Sequence, residues 1–92
     1  MKVVSLTWQI VPVSNLPSCI AGYSDEELWW SRASDGTCAK IAGGYSTPPA
    51  SLDCSLLPNG ALVLWWMDTQ SLSSTVGRSN SVSIPGDCVP LP

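Results

Sequence analysis

The chain has 92 residues and a formal net charge of −3, with 12% charged residues against 45% hydrophobic ones. That length is read as a single domain, residues 1–92, and the hydrophobic content argues against disorder. Four scattered basic residues, Lys2, Arg32, Lys40 and Arg78, give no footprint for nucleic acid or an anionic membrane, and no apolar run reaches the ~18 residues of a membrane helix.

In chain order, Val3 to Val13 alternates: Val4, Leu6, Trp8 and Ile10 fall on one face and Ser5, Thr7 and Gln9 on the other. This predicts a half-buried strand closed by Pro12. Residues 14–24 read as a loop. Glu27 to Ala33 reads as a second strand. A competing helix would be capped by Ser24, with Glu27 completing a capping box. That helix would run into Asp35-Gly36 after two or three turns, and Trp is a mediocre helix former, so strand is the expectation. Asp35-Gly36 is a hairpin turn signal returning the chain along Thr37 to Ala42. Gly43-Gly44 and Pro48-Pro49 bracket an irregular stretch. Leu52 to Leu57 is expected as a short strand, turning at Pro58-Asn59-Gly60 into Ala61 to Met67. That last segment is apolar on both faces and predicts a central strand covered on both sides. Ser73 to Val76 and Ser81 to Ile84 read as a weaker hairpin pair, followed by an irregular tail from Pro85. The fold class expected is all-β: a small antiparallel sandwich or barrel of six to seven short strands built from hairpins.

Within this pattern one tripeptide occurs twice, Leu28-Trp29-Trp30 and Leu64-Trp65-Trp66, holding four of the five tryptophans. Successive side chains in a strand point to opposite faces, so each pair places one indole on either side of a sheet. One ring fills the core; the other needs a second layer, a partner or a flat ligand. Trp29, Trp30, Trp65, Trp66 and the nearby Tyr23 are therefore the interface candidates. A cysteine stands upstream of each copy, at spacings that differ by one. Nothing else aligns, and coincidence explains the echo more simply than duplication.

The four cysteines, Cys19, Cys38, Cys54 and Cys88, fit two disulfides, most simply Cys19–Cys38 and Cys54–Cys88, with other connectivities open. They also fit four reduced, buried thiols. They lack the close pairs of a structural zinc site, and the chain has no histidine, so no metal is expected.

Without histidine the commonest general base is missing. Asp25-Glu26-Glu27 is the one dense acidic cluster, and its plain explanation is a solvated loop or helix start. Asp35 and Asn59 are explained as turn residues. Lys40, two residues after Cys38, is a weak candidate for activating a thiol. Glycines occur without the spacing of a phosphate loop. No catalytic residue and no cofactor are expected, and the chain is read as a non-enzyme.

The functional expectation is a structural or interaction protein that binds other subunits of an assembly, possibly copies of itself, through Trp-rich β surfaces. The first residues carry no unbroken apolar run of the kind a secretory leader needs. The expected setting is therefore a virion, as a capsid decoration (cement) or small tail protein of a phage or other virus. The alternative is an extracellular carbohydrate-binding domain that stacks Trp29 or Trp30, Tyr23 and Tyr45 on glycans. A disulfide-held toxin-like or inhibitor domain is a third reading, and the same missing leader counts against it. No motif is specific enough to point to a family.

Overall fold

A computed structural model describes residues 3–69 and the strand Thr75–Ile84, the latter as backbone. Among the described residues seven strands lie in two antiparallel sheets: β1 (Val3–Ser5), β2 (Gln9–Pro12), β3 (Leu28–Arg32), β4 (Thr37–Ala42), β5 (Ser51–Asp53), β6 (Gly60–Met67) and β7 (Thr75–Ile84). β1 and β5 form a two-stranded ribbon, and the other five form a sheet in the order β2-β7-β6-β3-β4. The fold is all-β. Among the described residues the larger sheet is open, with β2 and β4 at its edges, and closes no barrel.

β6 is central, as its two-sided apolar pattern predicts. Leu62, Leu64 and Trp66 belong to one buried cluster together with Leu28 of β3 and with Leu6 and Leu52 from the ribbon side. Trp65 and Met67 belong to a second cluster with Ile20, and Leu16 and Tyr23 from the 14–24 loop pack against it. The sheet thus has the ribbon on its first face and a loop on its second. The tight hairpin β3–β4 turns at Asp35-Gly36, where Gly36 has a φ of +70°, a left-handed conformation that glycine adopts without steric cost.

Several expectations are corrected. Val3 to Val13 is not one strand: β1 pairs with β5 in the ribbon and β2 with β7 in the large sheet. The chain changes sheets between Leu6, whose N–H bonds to the Ala50 carbonyl, and Trp8, whose indole N–H donates to the Pro49 carbonyl at 2.7 Å. The alternation holds through Trp8, which packs on the first cluster, and fails at Ile10, which is 61% exposed. Leu52 to Leu57 is a three-residue strand running into a 3-10 turn at Cys54–Leu56, which the Asp53 carboxylate caps through the Ser55 N–H. Pro58-Asn59-Gly60 closes no hairpin, because β5 pairs with β1 while β6 pairs with β3 and β7. The Ser81 to Ile84 half of the weak pair is the end of one continuous strand, β7, which also runs through Gly77 to Asn80. The residues before Thr75, and the tail from Pro85, lie outside the described residues.

Candidate interaction surface

The two tripeptides pair with each other. In the antiparallel register of β3 and β6, Leu28 lies opposite Trp66, Trp29 opposite Trp65 and Trp30 opposite Leu64. An identical Leu-Trp-Trp on each strand gives the same cross-strand partners read in either direction, centred on a Trp–Trp pair. Such pairs, with side chains about 5 Å apart on one face, are the unit of sheet stabilisation. The two copies thus pack partly on each other: Trp29 lies against the cluster that holds Trp65, and Trp30 against the one that holds Trp66.

Burial differs between the copies. Trp65 and Trp66 retain only 7% and 5% of their accessible surface, while Trp29 and Trp30 are half-buried. Trp65 and Trp66 are therefore withdrawn as interface candidates: β6 lies in the middle of the sheet, under the loop on one side and the ribbon on the other. The remaining candidates do not form one patch. Trp29 and Tyr23 pack on the second cluster, whereas Trp30 packs on the first, across the sheet.

The indole N–H groups sharpen the contrast. Trp65 donates to the Ser31 hydroxyl at 2.9 Å, and Ser31 is the buried polar residue of β3. Trp66 donates to the Tyr45 carbonyl at 2.8 Å. Trp29 donates to a Glu27 carboxylate oxygen at 3.1 Å. Trp30 has no indole partner among the described residues. Its ring carries the Arg32 guanidinium at 5.4 Å from the centroid, a cation–π arrangement worth ~0.5–1 kcal/mol at an exposed site. The guanidinium is itself fixed: it forks onto Asp35 and donates to the Asn59 carbonyl at 2.8 Å. The Arg32 hydrogen bonds hold the Asp35 carboxyl well below the usual carboxylate range, helped by the Thr37 hydroxyl and N–H.

The acidic cluster has structural work. Asp25 accepts from the Thr69 N–H at 2.9 Å, and the backbone of Glu26 bonds to Met67 and Tyr45. Glu26 sits at φ +64°, the one non-glycine residue with positive φ among those described. Glu27 accepts from Ser24 and Trp29 and pairs with Lys40 at 3.2 Å. Burial pushes its carboxyl up, but the Ser24, Trp29 and Lys40 hydrogen bonds and the Lys40 charge together outweigh that and hold it below its ordinary value. Lys40 is thus turned to Glu27, and Cys38 is bonded to Cys19 rather than held as a reactive thiol.

That Cys19–Cys38 disulfide spans 5.7 Å between Cα atoms and ties the 14–24 loop to β4. Cys54 is also disulfide-bonded; its expected partner, Cys88, lies outside the described residues. Beside the bridge the loop stops short of the hairpin end of the sheet, leaving a groove of about 290 Å³ lined by Pro17, Cys19, Ser31, Gly36, Ala61 and Val63. Among the described residues no group of three or more His, Cys, Asp or Glu is placed to hold a metal, and no helix is long and apolar enough to cross a membrane.

Sequence reasoning missed the exposed aliphatics Ile10, Val13 and Leu56. The signal for Ile10 was present in Pro12: a proline inside a strand pattern points to an edge, where outward apolar side chains meet water. Set beside known proteins, the chain matches no family model, no curated protein and no solved structure.

Proposed function

We propose that this protein works by contact rather than catalysis, as a structural subunit that binds neighbours, including copies of itself, in a larger assembly. The observation that carries the reading is Trp30: a half-buried ring on an interior strand, with an indole N–H unmatched among the described residues while the other four are bonded. Buried tryptophan usually finds a partner for that group, and a protein neighbour would supply an acceptor and cover the open part of the ring. The described carboxylates support the same reading, because Asp25, Glu27, Asp35 and Asp53 each brace a turn or strand end.

The setting we propose is a virus particle, as a capsid decoration or small tail protein. A surface with few charges is poorly guarded against association, which suits a subunit that spends its life packed. On this reading the ribbon over the large sheet makes a small two-layer sandwich. Glycan binding is the rival, and Trp29 and Tyr23, packed against the same cluster, are where it would act.

The test is the native mass of the purified chain across a concentration series, with Trp30→Ala alongside. Association of the wild type and a folded, monomeric Trp30→Ala support the proposal. A wild type that stays monomeric at high concentration overturns self-assembly, and binding to a glycan array by that monomer moves the function to sugars.

A further inference from the structure

The 14–24 loop is attached to the sheet in an unusual way. It covers the second face with Leu16, Ile20 and Tyr23, which pack with Trp65, Met67 and Trp29. Yet among the described residues its hydrogen bonds are local: Leu16 to Val13, Ile20 to Pro17, and Ser24 to Glu27. None ties the stretch 16–23 to a strand of the sheet. Apolar contact and the Cys19–Cys38 bridge hold it there, and the bridge joins it to β4, the edge strand. Cys19 is exposed and lines the groove, whereas Cys38 and Cys54 are each half-buried, against the second and the first cluster. A thiolate attacks a disulfide sulfur that it can reach, and the exposed Cys19 sulfur offers that point of attack.

We infer that Cys19–Cys38 is a reducible latch, and that opening it frees the 16–23 segment to lift from Trp65 and Met67 while the sheet stays folded. A dithiol supplies the reaction: the S–S bond breaks, Cys19 and Cys38 become two thiols by taking up between them the two protons and two electrons the reductant gives up, one of each per sulfur, and the reductant closes to its own cyclic disulfide. Local opening of this kind is expected where a segment has few backbone bonds to its neighbours. The latch goes beyond the assembly proposal and stands without it, since it concerns the isolated chain.

The experiment titrates the folded protein with dithiothreitol, maps opened cysteines by alkylation and mass spectrometry, and follows amide hydrogen exchange at each step; Cys19→Ser/Cys38→Ser in oxidising buffer is the second arm. The expected result is that Cys19 and Cys38 open before Cys54, and that the two bonded amides of the segment, Leu16 and Ile20, then exchange at least ~10-fold faster while those of β3 and β6 keep their protection. Three results overturn the latch: unchanged exchange in 16–23 once the bridge is open, β3 and β6 losing protection together with the loop, or Cys54 opening first. If the double variant does not fold, the reduced wild type decides.

Discussion

Leu28-Trp29-Trp30 and Leu64-Trp65-Trp66 are chemically the same tripeptide, in the same sheet, on adjacent strands, and they meet different fates. Both leucines are fully buried. The tryptophans part company: the β6 pair is closed over, while the β3 pair stays half open, one ring on each face. The difference comes from position. β6 is third of five strands and β3 is fourth, next to the edge strand β4. The loop and ribbon that roof the sheet centre on β6. Local sequence set which way each ring points; the distance to the sheet edge set how much of it is covered.

The most disruptive way to break this comparison is at its centre. Trp65→Ala removes a buried ring and should cost about 3–5 kcal/mol, whereas Trp29→Ala, directly opposite but half open, should cost clearly less, about 1–3 kcal/mol. Urea denaturation of the two variants checks this, and equal losses would erase the distinction between the copies. Next, Ser31→Ala takes away the acceptor of the Trp65 indole and should cost about 1–3 kcal/mol, because a buried donor is left unmatched. The same change leaves Trp29 bonded to Glu27, so a shift in the Trp65 indole resonance alone is the expected NMR signature.

A smaller effect separates the copies by pH. The Glu27 carboxyl that holds the Trp29 indole sits below its ordinary 4.5, so the folded chain binds fewer protons there than the unfolded one. That stability is present above pH 4.5 and is lost as pH falls through the folded pKa. Glu27→Gln should therefore be less stable than the wild type near neutrality, with the gap narrowing in acid; thermal melts from pH 7 to pH 3 read it. A gap that widens in acid would show the sign to be wrong. Smallest is Glu26→Gly, which relieves a left-handed backbone at the corner before β3 and is expected to be neutral or stabilising by up to ~1 kcal/mol. Chemical denaturation resolves that shift.

The strand class, the Asp35-Gly36 hairpin with its β4 return, and the central place of β6 were legible because they follow from local turn chemistry and two-residue periodicity. The sheet change inside residues 3–13 was not. Val4, Leu6 and Trp8 alternate as one strand would, and pairing with β5 far along the chain decides where β1 stops. For the same reason Pro58-Asn59-Gly60 looked like a hairpin: its turn chemistry is right, but the strands on either side are claimed by different sheets. At the candidate surface the sequence named five aromatic side chains, and the fold closes over two of them, Trp65 and Trp66. That the two Trp pairs face each other across β3 and β6 becomes visible only when the antiparallel register is known. Cys19–Cys38 was the simplest pairing on offer, but that this bridge pins a loop over Trp65 depends on the cover above β6, which no local pattern records.

The most direct test of the account is the solvent exposure of the five indole N–H groups, read by NMR on dilute monomer as line broadening by a soluble gadolinium chelate. Trp30 is expected to broaden first, with Trp65 and Trp66 spared. Broadening of Trp65 or Trp66 as strong as that of Trp30, or a Trp30 as protected as they are, would contradict it.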